Sequence, residues 1–210
     1  MPASQRTVRI PPLQLSADLR TPADPRGLVI FAHGSGSSRF SPRNKWVAAA
    51  LGDAGYATLL LDLLTEDEAA DRANVFDIDL LGRRLVDAID WACAQPELAA
   101  VPIGLFGAST GAAAALKAAA ARPGVVRTII SRGGRPDLAA DVLGEIHAPT
   151  LLIVGGRDEP VLGWNRDAGR KLAHPAEVEV VPGATHLFEE PGALDEVVRL
   201  AIDWCGRHLA

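Results

Sequence analysis

Val101-Pro-Ile-Gly-Leu-Phe-Gly107-Ala-Ser109-Thr-Gly111-Ala-Ala-Ala-Ala-Leu116 carries an apolar run straight into Gly-x-Ser-x-Gly and on into an alanine-rich segment. In order these read as a strand, a turn with no room for a loop, and a helix. That is the nucleophile elbow, in which the serine at the apex takes strained dihedrals and its hydroxyl stands above the sheet edge. Gly107 and Gly111, two residues either side of Ser109, put no Cβ where one would collide. The alanines at 112–115 and 118–121 let the helix lie close against the strands. Its N-terminus faces the serine and favours developing negative charge. The bare pentapeptide also fits an idle serine in a glycine-punctuated turn, and the flanking strand and helix are what separate the two readings.

Outward from this stretch, continuous apolar runs recur with helical patterns between them. Gly27–Ala32, Ala57–Asp62, Val125–Ile130 and Thr150–Val154 read as short strands buried on both faces, and Glu177–Val181 as a last strand. Ser41 reads as an N-cap with Pro42 at the first helical position, opening a helix that stops before Gly55. Thr65–Asp71 reads as an acidic loop. Ile78, Leu81, Leu85, Ile89 and Ala92 mark one face of a long helix, and Leu194, Val197, Val198, Ala201, Ile202 and Cys205 one side of the closing helix. Further helical pieces are expected near Pro136–Leu143 and from about Leu162 to Ala173. At the start, Thr7–Ile10 and Leu13–Leu19, broken by Pro11-Pro12, suggest a short antiparallel edge pair. Alternating strand and helix predict an α/β fold, a mostly parallel sheet with helices on both faces and right-handed crossovers. Neither a repeat nor a linker interrupts residues 1–210, so one domain is expected.

The bulk properties narrow the function classes. At 48% hydrophobic with mean hydropathy +0.13, the 210 residues are those of a folded globular chain. A formal net charge of −5 argues against a nucleic-acid partner. No apolar run approaches the ~18 residues of a membrane span, and no apolar segment follows Met-Pro-Ala-Ser-Gln-Arg. A soluble cytoplasmic protein without a membrane partner is expected. Cys93 and Cys205 lie in helical patterns with no metal-ligand spacing and read as buried thiols. No metal or organic cofactor is called for.

A serine hydroxyl needs a base beside it, and the base an orienting acid. In an open α/β sheet such groups gather at the carboxyl ends of strands. His147 and His174 lead into strands, at the wrong edge, and His208 lies in the tail. His33 follows a strand but belongs to the His-Gly-Ser-Gly turn. His186, in Pro-Gly-Ala-Thr-His186 directly after the last strand, is the candidate base. Asp158, in Gly-Gly-Arg-Asp158 after the preceding strand, is the candidate acid, with Glu159 adjacent and Asp62 far earlier in the chain as competitors. A lone loop histidine is also commonly just solvated, and Gly-Gly-Arg-Asp is also ordinary turn material. The order Ser109, Asp158, His186 suits an α/β-hydrolase sheet. The N–H of Thr110, after the nucleophile, and of Ser35, in the glycine-flanked turn after the first core strand, are the expected donors of an oxyanion hole, commonly worth ~3 kcal/mol each.

Together, Phe31-Ala-His-Gly-Ser-Gly, Gly107-Ala-Ser-Thr-Gly111, Gly155-Gly-Arg-Asp158 and Gly183-Ala-Thr-His186 resemble the α/β-hydrolase superfamily and, within it, the dienelactone hydrolase family. The resemblance runs nearly end to end. It implies a cofactor-free hydrolase of small-molecule esters or lactones, with Ser109 as nucleophile, His186 as base and Asp158 as orienter. The family's namesake enzymes carry cysteine at the elbow where this chain has serine, which leaves acyl-enzyme chemistry intact and the lactone substrate open. An acyltransferase, thioesterase or peptidase would use the same triad, and a ligand-binding protein on this fold would not need it.

Lids in this superfamily are commonly inserted after the strand that follows the nucleophile helix. Here Ser131–Ala148 is 18 residues long, so no substantial lid is expected. Arg39, Arg43, Arg132 and Arg135 fall in loops that should ring the serine. They are either solvated surface charge or recognition groups for an anionic substrate. Trp164 is either a wall of the acyl pocket or helix packing. A homodimer through the closing helix and last strand is a further expectation.

Overall fold

The strands with unbroken apolar sequence are the ones the protein buries on both faces. In the computed structural model, which describes residues 4–174 and 176–209, β3 (Leu28–Ala32), β4 (Ala57–Leu61), β5 (Ile103–Ala108) and β7 (Thr150–Gly155) are buried throughout. Such strands have no solvent side, so helices must cover both faces. With β1 (Ser4–Ile10), β2 (Leu15–Thr21), β6 (Val126–Arg132) and β8 (Glu177–Val181) they form one eight-stranded sheet in the order β1-β2-β4-β3-β5-β6-β7-β8. Strands β3 to β8 pair in parallel. The hairpin β1–β2 pairs antiparallel, and β2 joins β4 antiparallel. The hairpin therefore extends the sheet, with Leu15, Ala17 and Leu19 turned to the core.

The sheet separates two apolar layers. One face is covered by α4 (Ile78–Cys93) and α5 (Thr110–Ala121), whose Leu81, Leu85, Ile89, Ala114 and Leu116 pack with Ile30, Leu59 and Leu105. The other is covered by α1 (Pro42–Asp53) and α7 (Ala193–His208), whose Val47, Leu51, Val197 and Trp204 pack on Val29, Phe31, Phe106 and Ile153. Ser41 caps α1 through a 3.4 Å hydrogen bond from Asn44 N–H. This is the α/β-hydrolase architecture with its antiparallel N-terminal strands and without a large insertion before β7.

Some local expectations need correction. The acidic stretch after β4 is helical, α2 (Glu66–Ala70) and α3 (Arg72–Phe76). Thr65 and Glu68 form a reciprocal capping box, Glu68 N–H to Thr65 Oγ1 at 3.2 Å and Thr65 N–H to Glu68 Oε2 at 3.0 Å. Three acidic residues in the first turn also suit the helix dipole. The helix after β7, α6 (Glu159–Gly169), begins earlier than Leu162 because Pro160 fits its first turn. The piece near Pro136–Leu143 is two short 3₁₀ turns. Cys205 is buried, and burial pushes its thiol up to about 12. Cys93, at the last turn of α4, is exposed rather than buried.

Candidate active site

The turn between β5 and α5 shows why two glycines flank the serine. A Cβ on Gly111 would lie 2.3 Å from Ala32 O and 2.5 Å from His33 O, and one on Gly107 would lie 2.4 Å from Ala112 Cα. Only residues without side chains let the helix start this close to β3. Between them Ser109 takes φ 52° and ψ −121°, a conformation that costs a non-glycine residue about 1–3 kcal/mol and persists only where its surroundings impose it. Ser109 N–H is tied to Arg132 O at 3.2 Å, and Ser109 O accepts from Arg135 N–H at 3.1 Å. The end of β6 and the turn that follows it therefore hold the strained residue on both sides.

Two further loops at the same edge of the sheet converge on Ser109. The turn after β7 is latched to the turn after β8, Gly156 N–H to Val181 O and Arg157 N–H to Ala184 O, both 2.9 Å. Gly155 allows this contact, since a Cβ there would meet Ala184 O at 2.4 Å. The latch brings Asp158 Oδ2 to 2.7 Å from His186 Nδ1. The other ring nitrogen, Nε2, lies 3.2 Å from Ser109 Oγ. Beyond His186, Phe188 is buried with φ 55° and donates its N–H to Thr185 O at 3.2 Å. Glu190 accepts from Thr185 N–H at 3.0 Å. The loop that carries the histidine is thus pinned on both sides of it. With the carboxylate accepting from Nδ1–H, Nε2 is left to accept from the serine hydroxyl, and such a relay can withdraw that proton as the oxygen attacks.

The turn after β3 packs on the elbow, with Gly34 so close that a Cβ there would stand 3.1 Å from both Ala108 O and Ser109 Cβ. Ser35 N–H points at the elbow but donates to Thr110 Oγ1 at 2.8 Å. The Thr110 side chain therefore occupies the donor that the sequence assigned to an oxyanion, a contact between residues 75 apart that no local pattern announces. Thr110 N–H, the first of α5, has no acceptor within its own helix. His33 proves structural: Nδ1 donates to Gly34 O at 2.9 Å, Nε2 accepts from Leu63 N–H at 3.2 Å, and burial lowers its pKa.

A cavity of about 210 Å³ opens over Ser109 and His186, lined also by Ser37, Arg43, Asn44 and Arg132. Across the Gly34–Ser37 turn lies a second cavity of about 350 Å³, walled by Leu64 after β4 and by α2, α3 and α4 through Ala69, Val75 and Leu81. The arginines divide. Arg43 and Arg132 line the serine cavity, whereas Arg39 belongs to the second one and is held by Asp62 and, at 3.6 Å, by Asp18. Arg135 pairs with Asp137 at 2.7 Å and lies 4.2 Å from the centre of the Trp164 ring, which is 36% exposed. Arg39 and Trp164 do not line the serine cavity, so the structure does not bring them together with Ser109 as it does Arg43 and Arg132. Arg132 is the last residue of β6 rather than a loop residue. Among the described residues no group of three or more His, Cys, Asp and Glu side chains is placed to hold a metal ion, and no helix is long and apolar enough to cross a membrane.

The profile of the dienelactone hydrolase family matches residues 15–201. Among solved structures, a dienelactone hydrolase from Anabaena variabilis is 49% identical with a TM-score of 0.94, over 99% of this chain and 98% of that one. Est1E from Butyrivibrio proteoclasticus is 16% identical with a TM-score of 0.81, over 97% and 98%, a likeness of fold alone. Two Mycobacterium tuberculosis proteins, provisionally named phosphoribosyl transferases, are 58% identical over 198 residues. That match takes in 94% of this chain and 45% of theirs, so the chain spans about half the length of those relatives.

Proposed function

Because the chain belongs to the dienelactone hydrolase family, we propose that it hydrolyses small carboxylic esters or lactones through an acyl-enzyme on Ser109. The observation that carries this reading is the strained serine whose hydroxyl lies 3.2 Å from an imidazole that is itself held by a carboxylate at 2.7 Å. In this mechanism His186 Nε2 takes the hydroxyl proton as Ser109 Oγ adds to the substrate carbonyl. Asp158 holds the ring in the tautomer that can do so. The protonated imidazole then gives its proton to the leaving alkoxide, and in the second half-reaction it activates water against the acyl-serine. Thr110 N–H at the start of α5 is one donor to the oxyanion. Ser35 N–H becomes the second once the Thr110 hydroxyl turns away from it, so the substrate oxygen exchanges places with a hydroxyl rather than with bulk water.

Cavity size supports small substrates, since about 210 Å³ over the serine is less than the ~300–1,000 Å³ that encloses drug-sized ligands. The second cavity, whose Leu64, Ala69, Val75 and Leu81 form an apolar wall, gives room for an acyl or alcohol group to extend across the Gly34–Ser37 turn. The name of the M. tuberculosis relatives suggests another chemistry. Displacement at a phosphoribosyl carbon makes no use of a serine poised against a base, and this chain matches only 45% of those longer proteins, so their name is not carried over to it. The test is hydrolysis of p-nitrophenyl esters from acetate to decanoate by wild type and Ser109→Ala. Turnover highest on the short chains and lost in the variant is expected. Turnover that survives in Ser109→Ala would overturn the proposal.

A further inference from the structure

The turn after β3 presents one peptide, Gly34–Ser35, to the elbow, and that peptide is hydrogen-bonded at both ends. Its N–H, on Ser35, donates to Thr110 Oγ1 at 2.8 Å. Its carbonyl, on Gly34, accepts from His33 Nδ1 at 2.9 Å and from Ser37 N–H at 3.2 Å. The Ser37 bond closes the turn on itself. His33 instead ties the turn to the sheet, because its far ring nitrogen, Nε2, accepts from Leu63 N–H just beyond β4 at 3.2 Å. A carbonyl oxygen only accepts and an amide N–H only donates, so the two contacts together require a neutral ring with its proton on Nδ1. Gly34 has no side chain with which to hold the peptide, and a Cβ there would lie 3.1 Å from Ser109 Cβ. In a trans peptide the carbonyl and the N–H point opposite ways. A group that fixes the Gly34 oxygen therefore also aims the Ser35 N–H.

We propose that His33 is a positioning residue for acyl transfer: by holding Gly34 O, its Nδ1–H aims the Ser35 N–H at the oxyanion formed when Ser109 Oγ adds to a carbonyl. The proposal rests on the hydrolase reading of Ser109. Oxyanion donors act by being fixed in place before charge develops, and a peptide free to rock loses that advantage. Donation to the carbonyl also polarises the same peptide and strengthens its N–H as a donor. His33 itself gives and takes no proton in the reaction. The arrangement is sensitive to acid. A proton on Nε2 would set its N–H head to head with that of Leu63, so the charged ring leaves this position and releases the turn. Burial, outweighing the Gly34 contact and the Asp62 carboxylate, lowers the ring pKa from 6.5. Asp62 follows β4 and is held by Arg39 of the same turn, and Glu66 of α2 lines the cavity on that side. The first turn of α5, which packs on His33 O, carries no charged side chain.

Two amide side chains divide the contacts of the ring between them. The N–H of an Asn amide can stand in for Nδ1–H, and the carbonyl of a Gln amide can stand in for Nε2. With p-nitrophenyl acetate at neutral pH, His33→Gln is expected to lose kcat at least about tenfold with KM within about twofold of wild type. His33→Asn is expected to keep kcat within about threefold of wild type. On the acid side, wild-type kcat/KM should fall with the uptake of two protons, one at His186 and one at His33, and that of His33→Asn with the uptake of one. Packing alone predicts otherwise, because each variant gives up one contact and the two would then lose Tm and kcat alike. The second readout needs no turnover. In Ser109→Ala the amide proton resonance of Ser35 should move as His33 titrates, and stay in place over the same range once His33→Asn is added. A Ser35 resonance that follows His33 in a protein that turns over no ester would retain the coupling of the two residues and reject the hydrolase. Ester turnover with equal kcat and an equal acid limb in wild type and both His33 variants would retain the hydrolase and overturn the positioning role. So would a Ser35 resonance indifferent to His33.

Discussion

Replacing Gly111 by alanine puts the close contact between strand and elbow to a quantitative test. The new methyl would stand 2.3 Å from Ala32 O, 2.5 Å from His33 O and 2.7 Å from Ala32 C, against an ordinary contact of 3.4 Å or more. None of these atoms belongs to a flexible side chain. Ala32 is bound in register between Leu61 of β4 and Gly107 of β5, so relief means moving the start of α5 by about 1 Å. Overpacking of this kind costs typically about 1–3 kcal/mol, and clashes with backbone on one side place the variant at the upper end. For a chain of this length that lowers Tm by about 6–12 °C. The movement also carries Ser109, and a displacement of about 1 Å at a reacting atom costs on the order of 10²-fold in rate. Gly163 in α6 is the control. A Cβ there meets nothing within 4 Å, so Gly163→Ala should gain roughly 0.5–1 kcal/mol from helix propensity alone and keep its activity. Thermal unfolding followed by circular dichroism, with kcat on p-nitrophenyl acetate, reads both effects. A Gly111→Ala protein with the Tm and kcat of wild type would refute the packing argument.

Three other outcomes follow from the same geometry. Asp158→Asn, which cannot hold His186 in the required tautomer, should lower kcat by about 10⁴-fold with Tm within about 2 °C of wild type, and a loss of less than tenfold would remove Asp158 from the relay. Thr128 Oγ1 accepts from buried Trp204 Nε1 at 2.6 Å and donates to Pro149 O at 2.8 Å. Pro149 O keeps the Ile129 N–H at 3.0 Å, but Thr128→Val leaves the buried Trp204 Nε1–H without its acceptor at about 1–3 kcal/mol, and a chemical denaturation midpoint unchanged from wild type would contradict that. His33 has its folded pKa lowered from 6.5 by burial, so below about pH 6.5 the unfolded chain binds a proton that the folded chain refuses, and stability falls as pH falls through that range. His33→Gln, which does not titrate there, should show a shallower loss of Tm between pH 7 and 5 than wild type. Equal slopes would mean that His33 is not held neutral.

What could be read beforehand depended on how local the determinants were. The elbow was legible because its cause lies within five residues, and the neighbouring β3 oxygens that exclude a Cβ belong to a strand whose apolar sequence is equally plain. Ser109, Asp158 and His186 were legible as candidates because each directly follows a strand at the edge where the parallel sheet collects its loops, and the structure brings the three side chains into hydrogen-bonding distance. Their roles are proposals that the variants above test. Other features turned on distant partners. Arg132 read as a loop residue, but β6 runs on to it because Ala108 and Ile153 flank it on the neighbouring strands. The charges of Arg39 and Arg135 are satisfied by Asp62 and Asp137, which loop membership alone does not show. The run after Thr65 looked like an acidic loop because net charge obscured a capping box only four residues long. Thr110 Oγ1 against Ser35 N–H joins residues from two separate turns, and only the folded chain reveals that the donor already has an acceptor.

Ser109 as the nucleophile of an acyl-transfer site is the proposal on which the others depend. Its most direct test is the intact mass of wild type and Ser109→Ala after exposure to a fluorophosphonate, followed by peptide mapping. One stoichiometric adduct on wild type, located on Ser109, and none on the variant are expected. An unmodified wild type, or an adduct that persists in Ser109→Ala, would contradict it.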